Sequence, residues 1–542
     1  MKCLGPGSSV SRLPRLLSGA SPHRLPKFTM GFSTAAEFDQ AYQSVQGAFA
    51  SGTTKNKEWR RRQLKRAWWM IEDNTKRICD ALYTDLHKHY QEAYTGDCAN
   101  TQADILRTLK KLDEWTKDER PEKSDPLNFL GRATVRKEPL GVTLIIGAWN
   151  FPITLLLQPM IAAIAAGCAV ILKPSDVASA TQDVLMEIVP QYMDQDAIRC
   201  VSAGPQEMGY ILEHRFDHIF YTGSPNIAKI IHAAAAKHLT PVTLELGGQC
   251  PAIVAESANL DLTAKHIAVT KFMNAGQICL NVNHVLVHPN LRDRLVADLI
   301  RHFDTFRGGK DNNPEYYTHI INERNFDRLE GLLQQTSGKI VYGGQRDRQS
   351  LYFAPTIVTG VKPGDSLLSE ELFGPILPIV DADFDTALSR TRAGEHPLAI
   401  YAFTTQDAEK ARILNETQSG GVTFNDCGLH IAALDVPFGG VGNSGQGRYH
   451  GPHGILTFSH LRTYINAVPS WLEGILAARY PPYSVQKAHK MMAPVTPPFD
   501  RDGNDTTSAA SKWAFGVGIL ALSALFVTRR DQIVAVGSKW LK

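Results

Sequence analysis

From residue 142 onward, short apolar runs rich in β-branched residues alternate with stretches long enough to form helices. The runs are VTLIIGAW (142–149), AVILKP (169–174), IRCVSA (198–203) and HIFYTG (218–223). Successive strands with a helix between them pair in parallel, because a parallel connection needs a crossover of roughly a dozen residues or more. The pattern therefore predicts an α/β fold built on a parallel sheet of the kind that binds nucleotides.

A second strand series begins near Glu245, so we expect more than one domain. TLELGGQCPAIVA opens this series, and a helix over 260–274, a strand over 282–287 and a long helix after Asn290 follow. Ahead of the first sheet, residues 37–116 carry apolar side chains at three- and four-residue spacing with dense charge between them, which predicts surface helices. A chain of 542 residues also exceeds the roughly 250 to 300 at which a single core stops growing.

Composition excludes several classes of protein. The formal net charge of +3 and the charged fraction of 20% are ordinary for a globular chain and do not indicate a nucleic-acid partner. The eight cysteines are scattered without CxxC pairs or zinc-ligand spacing with histidine, which argues against both a metal site and a disulfide framework. We therefore expect no bound metal, and a reducing compartment.

Residues 1–36 form a basic leader that we expect to be disordered. They contain five Lys or Arg side chains and no Asp or Glu, which is typical of a transit peptide. Four prolines weaken an amphipathic presequence helix, and Met30 offers an alternative start. Mitochondrial import and a plain leader both stay open.

The C-terminal end contains an uncharged apolar run, Trp513–Val527, with Lys512 before it and Arg529 after it. The run is shorter than the ~20 residues that a helix needs to cross a bilayer, but snorkelling flanks extend its reach. We expect a transmembrane anchor over 513–528, with a buried core helix as the alternative. Residues 466–512 are then an amphipathic helix and a linker, and the endoplasmic reticulum is the preferred membrane.

Cys279 is the candidate nucleophile. It lies in KFMNAGQICLNVN, after an amphipathic helix and before a strand, so we expect it on a turn that exposes its thiol. A thiolate attacks an aldehyde readily, and the resulting hemithioacetal can release hydride to a neighbouring nicotinamide. The alternative is an inert buried cysteine.

Two polar side chains are candidates for the rest of the chemistry. Glu245 ends an apolar strand, where burial would raise its pKa toward neutrality and suit it to activate water. Asn150, in GAWNFP, ends another strand, and its amide could stabilise the oxyanion together with the backbone N–H of Cys279. The alternatives are a salt-bridged or capping glutamate and a helix-capping asparagine.

Seven motifs occur in the order and context of the aldehyde dehydrogenase superfamily, which the chain resembles over roughly residues 37–465. They are GAWNFP, LKPSD, YTGS, TLELGGQ, NAGQICL, EELFGPILPI and PFGGVGNSG. The last of these, with the following QGRYHG, LTFSH and RYPPY, resembles the class 3 branch, which includes membrane-bound fatty aldehyde dehydrogenases. The resemblance implies that Cys279 is the nucleophile, Glu245 the general base and Asn150 the oxyanion donor.

The resemblance also implies NAD or NADP as the cofactor. The residues that would bind it are Lys173, Asp176, Gly223, Ser224, Glu371 and Phe373. Two departures from the class 3 pattern stand out. Asn226 and Ala228 stand where that pattern has further glycines, which bears on the cofactor's fit at this turn, and Asp176 replaces the usual glutamate, which leaves the choice between NAD and NADP open. GGVGNSG matches GxGxxG by letters alone, because no strand precedes it, and we interpret it as a structural or site-lining loop.

The domains implied by the resemblance are three. A Rossmann-like NAD(P)-binding domain would comprise residues 37–116 and 138–244, an α/β catalytic domain residues 245–430, and a small bridging, oligomerisation element residues 117–137 and 431–465. A homodimer is expected.

The expected reaction is oxidation of long-chain aliphatic aldehydes to carboxylic acids through a thiohemiacetal and a thioester on Cys279. The fatty substrate follows from the anchor, because a tethered enzyme meets aldehydes that partition into lipid. Alternatives are another lipophilic aldehyde such as an apocarotenal, a thioester-forming enzyme that uses coenzyme A, and a catalytically silent membrane-bound scaffold.

Overall fold

The computed structural model describes residues 31–121, 128, 131–309, 314–467, 470, 473–491 and 497–505. The chain divides into two compact units, Met1–Arg120 with Thr134–Tyr464, and Pro121–Ala133 with Ile465–Lys542. The candidate site lies wholly in the first unit.

The strands of the described residues belong to four sheets. They are β1 (Thr134–Pro139), β2 (Val142–Ile146), β3 (Ala169–Lys173), β4 (Ile198–Cys200), β5 (His218–Thr222), β6 (Val242–Glu245), β7 (Pro251–Val254), β8 (His284–Val287), β9 (Lys339–Tyr342), β10 (Arg346–Asp347), β11 (Tyr352–Phe353), β12 (Thr356–Thr359), β13 (Ile376–Asp381), β14 (Ala399–Phe403), β15 (Gly421–Phe424), β16 (Gly445–Gln446) and β17 (Ser459–Tyr464).

The helices of the described residues fall in both units. In the first unit they are α1 (Ala35–Ala50), α2 (Lys57–Leu86), α3 (Tyr90–Ala93), α4 (Asn100–Trp115), α5 (Thr154–Ala166), α6 (Ser179–Tyr192), α7 (Pro205–Ile211), α8 (Pro225–Ala236), α9 (Leu260–Phe272), α10 (Pro289–Arg307), α11 (Glu323–Gln335), α12 (Phe384–Ala393), α13 (Asp407–Glu416), α14 (Leu429–Ala432) and α15 (Gly451–Thr457). In the second unit they are α16 (Glu473–Leu476) and α17 (Val485–Met491).

The first sheet has the order β16-β6-β5-β2-β3-β4, with β2 to β6 parallel and β16 antiparallel to β6. Every residue of β2, β3 and β5 is buried, as expected for a parallel sheet covered by helices on both faces. The four strands expected from β-branched runs are therefore confirmed. Glu245, however, ends β6 of this sheet and does not open the second series, so the expected boundary at 244/245 falls slightly too early.

The second sheet begins at β7 and has the order β15-β14-β7-β8-β13-β12-β9. All its neighbours are parallel except β9, which runs antiparallel to β12. Its first helix and strand, α9 and β8, occupy the ranges that the sequence predicts to within two residues.

The N-terminal helix begins earlier than expected. Thr34 caps α1 with its hydroxyl oxygen, and Glu37 completes a capping box. The Ser33 N–H donates to the carbonyl oxygen of Ser202 at 2.9 Å. This bond joins the chain before α1 to the segment that follows β4. The last residues of the segment assigned to the leader, 31–36, are thus part of the fold and not disordered; residues 1–30 lie outside the described residues.

Strands β1 and β17 form a separate antiparallel pair, with Thr134 opposite Tyr464 and Pro139 opposite Ser459. The pair joins residues of the two segments expected to form the bridging element, 117–137 and 431–465, and the element itself stays a prediction. Among the described residues, no helix combines the length and the apolar character required to cross a bilayer. The anchor expected over 513–528 lies outside the described residues.

Candidate active site

One large cavity of about 1680 Å³ in the first unit brings the predicted site residues together. Its lining includes Asn150, Lys173, Asp176, Gly223, Ser224, Glu245, Cys279, Glu371 and Phe373. They come from the ends of β2, β3, β5 and β6 and from two loops near the second sheet. The carboxyl ends of neighbouring parallel strands meet at one edge, which is where α/β sheets bind ligands.

Cys279 lies on a turn, as the sequence predicts, and its thiol is half-buried on the cavity wall. The chain leaves α9 through a tight turn, Met273–Gly276, in which Asn274 and Ala275 have φ angles of 51° and 49°. Residues with side chains rarely adopt this left-handed conformation. The Asn274 N–H donates to the Glu92 carboxylate at 3.0 Å, which helps to hold the turn that precedes Cys279.

Burial is the main influence on the Cys279 thiol and raises its pKa above the ordinary range. The nearby groups Glu371, Cys250 and Glu245 raise this pKa further, because each disfavours a second negative charge. The thiol is therefore protonated at neutral pH in the free protein and must lose its proton before it attacks.

Glu245 ends β6 with its side chain in the cavity wall and only 3% of its surface exposed. Neither carboxylate oxygen has a hydrogen-bond partner within the described part of the chain. Burial raises the pKa of Glu245 well above its ordinary value, since nothing compensates its charge. The alternatives of a salt-bridged or capping glutamate do not describe this side chain.

The strand that carries Glu245 is fixed by the glycine-rich loop 437–447. Gly445 pairs directly opposite Glu245 in β16, and a Cβ on Gly445 would lie 2.3 Å from the carbonyl oxygen of Leu244. Gly445 also has a φ of +148°. The interpretation of GGVGNSG as a structural, site-lining loop is confirmed, because Asn443 of the same loop lines the cavity.

Asn150 is 3% exposed and lies between β2 and α5. Its side-chain amide donates to the carbonyl oxygen of Gln277 at 3.1 Å, two residues before Cys279. The backbone carbonyl oxygen of Asn150 accepts hydrogen bonds from Lys88 Nζ at 2.8 Å and from Asn274 Nδ2 at 3.1 Å. Asn150 is therefore bonded to the turn that carries the thiol, and one of its amide N–H bonds is left for an additional acceptor.

The other half of the cavity fits a dinucleotide. α8 begins with Pro225 after Gly223 and Ser224, and the Ser224 side chain makes no capping hydrogen bond. The first backbone N–H groups of this 12-residue helix therefore keep capacity for an anion such as a pyrophosphate. Ile227 and Ile230 line the cavity beside them and are 47% and 60% exposed, which offers a flat ring an apolar surface.

The two departures from the class 3 pattern have local explanations. Ala228 is 2% exposed and its N–H donates to Ser224 O at 3.0 Å, so it forms the first turn of a regular helix that needs no glycine. Lys173 Nζ contacts Asp176 Oδ1 at 2.7 Å, and both line the cavity. The shorter carboxylate is thus held by Lys173, at the place expected for an adenosine ribose.

Glu371 and Phe373 lie on the loop between β12 and β13. Burial raises the pKa of Glu371 to about 7, while the Gly248 N–H and the Arg328 guanidinium lower it. A Cβ on Gly247 would lie 2.3 Å from the Glu371 carboxylate, so glycine lets the backbone approach that group. The Phe373 ring meets the Trp149 ring edge-on, with centroids 5.3 Å apart, at the cavity wall.

Sequence reasoning missed the charged residues behind the site. Lys88 and Asp97 form an ion pair with both side chains fully buried, and Lys271 is also fully buried, with Nζ donating to Gly374 O at 3.2 Å. All three lie in segments where charge at helical spacing usually marks a solvent-facing side. The local sequence around these three residues does not distinguish them from exposed charged residues.

Comparisons with known proteins identify the family of this chain. The model of the aldehyde dehydrogenase family matches residues 26–464. Aldehyde dehydrogenase family 3 member B1 from Homo sapiens is 41% identical over 446 residues, which cover 82% of this chain and 94% of that protein. The dimeric NADP-preferring aldehyde dehydrogenase from Rattus norvegicus is 43% identical over 442 residues, which cover 80% and 95%.

A solved structure gives the same result in three dimensions. The substrate-bound state of Staphylococcus aureus AldH matches with a TM-score of 0.77 at 35% identity, and the match covers 80% of this chain and 94% of that one. Fold and site together define an NAD(P)-dependent aldehyde oxidoreductase. The chain belongs to the aldehyde dehydrogenase family, and its relatives at 41% and 43% identity are family 3 and dimeric NADP-preferring enzymes. The α/β fold and the predicted resemblance are confirmed.

Proposed function

We propose that this enzyme oxidises long-chain aliphatic aldehydes to carboxylic acids through a thiohemiacetal and a thioester on Cys279. One observation carries the proposal. One cavity is lined by the half-buried thiol of Cys279, the uncompensated carboxylate of Glu245 and the amide of Asn150. The same cavity includes the surface at the start of α8 that fits a dinucleotide.

The first step forms a bond between Cys279 Sγ and the aldehyde carbon. The thiol releases its proton to solvent, the thiolate adds to the carbonyl carbon, and the carbonyl π electrons move to oxygen. The free amide N–H of Asn150, with the backbone N–H of Cys279, donates to that oxyanion. Donors of this kind are worth about 10²- to 10³-fold in rate because they are placed before the charge develops.

A dinucleotide bound here would supply the hydride acceptor for the former aldehyde carbon. Lys173, Asp176 and the backbone at Gly223 and Ser224 would hold its adenosine and pyrophosphate, and Glu371 and Phe373 would hold the nicotinamide ribose and ring. Hydride loss leaves a thioester on Cys279.

Glu245 completes the cycle as the general base. Its carboxylate takes a proton from water, the resulting hydroxide adds to the thioester carbonyl, and the carbon–sulfur bond breaks to release the acid and the Cys279 thiolate. The raised pKa of Glu245 suits this work, because a base is most effective when its pKa lies close to the operating pH.

The substrate class is argued from apolar surroundings and location. Trp149, Leu155 and Phe373 line the cavity beside Asn150 and Cys279, and the uncharged run at 513–528 would tether the enzyme where lipophilic aldehydes dissolve. We propose the endoplasmic reticulum membrane as the location and a homodimer as the assembly. Alkaline extraction of membranes tests the anchor: the full chain should stay in the pellet, and a variant with Ile519→Lys and Leu522→Lys should be released.

NAD(P)H formation by detergent-solubilised protein, measured across aldehydes of increasing chain length, tests the substrate class with both cofactors. Activity that rises with chain length and disappears in Cys279→Ala is the expected result. A preference for an apocarotenal would move the assignment to another lipophilic aldehyde. Silence with every aldehyde would contradict the proposal and favour a scaffold.

A further inference from the structure

Lys88 and Asp97 form an ion pair in which both side chains have no exposed surface, and Lys88 Nζ contacts Asp97 Oδ2 at 3.1 Å. Neither residue lines the large cavity. Desolvating two charges is costly, and their attraction offsets that cost only when the remaining donors and acceptors are also satisfied. The contacts of the pair therefore indicate what it is for.

The other contacts of Lys88 are with Asn150 and the residue after it. Its Nζ donates to the carbonyl oxygen of Asn150 at 2.8 Å, and it lies 4.2 Å from the centroid of the Phe151 ring. An ammonium that bonds a carboxylate, a carbonyl oxygen and an aromatic face has three favourable contacts in a buried position. Two of the three, those to Asn150 and Phe151, hold the segment that begins at Asn150.

Asp97 holds the other end of the same segment. Its Oδ1 accepts hydrogen bonds from the N–H groups of Ile153 at 3.2 Å and Thr154 at 3.4 Å, at the start of α5. The Thr154 hydroxyl in turn donates to Gly96 O at 2.8 Å. Asp97 itself belongs to a single π-helical turn, Tyr94–Ala99, an irregular element that often occurs at functional sites.

The segment fixed in this way sets the place of the Asn150 amide relative to the thiol. The carbonyl oxygen of Asn150 also accepts from Asn274 Nδ2 at 3.1 Å, and the Asn150 amide donates to Gln277 O at 3.1 Å. Asn274 and Gln277 both belong to the turn that leads to Cys279. Lys88 thus shares the backbone oxygen of Asn150 with Asn274 of that turn and contributes a second bond that fixes Asn150.

We infer that Lys88 and Asp97 are positioning residues that hold the Asn150 amide where the oxyanion forms. The inference rests on the proposed function, because it needs Asn150 to be the oxyanion donor. It predicts that loss of the ion pair lowers the rate only by displacing Asn150. A displacement of about 1 Å at a reacting centre costs on the order of 100-fold in rate.

A double-mutant cycle with Asn150→Ala tests this. Lys88→Met keeps the length of the side chain and removes its charge, and Asp97→Asn keeps an acceptor for the N–H groups of Ile153 and Thr154. In the wild-type background each should lower kcat/KM, Lys88→Met by about 100-fold. In the Asn150→Ala background the further loss should be less than about twofold, because residues that act through a common group are not additive. Lys76→Met, in an exposed ion pair with Asp80, should leave kcat/KM unchanged.

Alkylation of Cys279 by iodoacetamide supplies a readout that a merely structural role would move. No oxyanion forms in that reaction, so its rate, followed by peptide mass, should be the same in Lys88→Met and in the wild type. An equal loss of kcat/KM in both backgrounds, or a parallel loss of alkylation, would overturn the inference. If Lys88→Met does not fold, Asp97→Asn carries the same cycle with the same two outcomes. Undiminished activity in Asn150→Ala alone would instead contradict the oxyanion role in the proposed function, and the positioning role with it.

Discussion

Burial acts on the pKa of both the Glu245 carboxyl and the half-buried Cys279 thiol, and in the proposed cycle their protonation sets the pH dependence of the reaction. Burial raises the pKa of each above its ordinary value, so both bind their protons more tightly in the folded protein than in water. The active forms are deprotonated. We therefore expect kcat/KM to rise with pH through neutrality into the alkaline range, measured as initial NAD(P)H formation. A flat profile, or one that falls as the pH rises from 6 to 8, would contradict these roles.

Glu371 gives a second pH effect, on cofactor binding. Its pKa of about 7 means that the carboxyl changes from mostly neutral to mostly ionised between roughly pH 6 and 8. The ionised form accepts hydrogen bonds from ribose hydroxyls more strongly, so affinity for NAD or NADP should rise over that range. Titration by NADH fluorescence at several pH values checks this, and Glu371→Gln should remove the dependence while leaving binding measurable.

At the scale of elements, the pairing of β16 with β6 holds the strand that carries Glu245. Gly445→Ala would place a Cβ 2.3 Å from the backbone oxygen of Leu244 and strain a residue with a φ of +148°. We expect it to lower the free energy of unfolding by about 1 to 3 kcal/mol and to slow thioester hydrolysis. Gly331→Ala, in α11 with no atom within 4 Å of the added Cβ, is the matched control and should be neutral or slightly stabilising.

The sequence predicts elements well where their physical cause is local. Runs such as VTLIIGAW form strands because β-branched residues suit a pleated, doubly covered sheet, and Cys279 lies on a turn because polar and glycine residues separate α9 from β8. Local sequence patterns do not predict the two-residue strand β16, because its pairing with Glu245 depends on a contact between distant parts of the chain. The burial of Lys88 and Asp97 likewise depends on tertiary packing around Asn150, which helical spacing does not report.

At the scale of the whole molecule, buried histidines make the fold sensitive to acid. Burial lowers the pKa of His218 to about 3 and of His450 to about 4, and both are at most 4% exposed. Between pH 6.5 and these values each of these histidines binds a proton in the unfolded chain and not in the folded one, so its contribution to stability falls as the pH falls, whereas the raised pKa values of Glu245 and Glu371 act in the opposite sense. Each histidine costs about 1.4 kcal/mol per pH unit in this window.

Urea unfolding at pH 7, 6 and 5 measures this loss. Relative to the wild type, His218→Gln should raise the midpoint more at pH 5 than at pH 7, whereas His232→Gln, at an exposed position of α8, should change it by the same amount at each pH. A difference between His218→Gln and the wild type that does not grow as the pH falls would contradict this role of His218.

The proposed reaction cycle depends on a covalent intermediate on Cys279, and Glu245→Gln should trap it. The enzyme variant is mixed with a long-chain aldehyde and NAD or NADP, quenched in acid, digested and analysed by mass spectrometry, with Glu114→Gln as an exposed control. We expect a burst of about one NAD(P)H per active site, steady turnover lowered by about 10²- to 10⁴-fold, and the acyl mass on the peptide that contains Cys279. Turnover equal to the wild type, or an acyl group on any other residue, would contradict the proposed cycle.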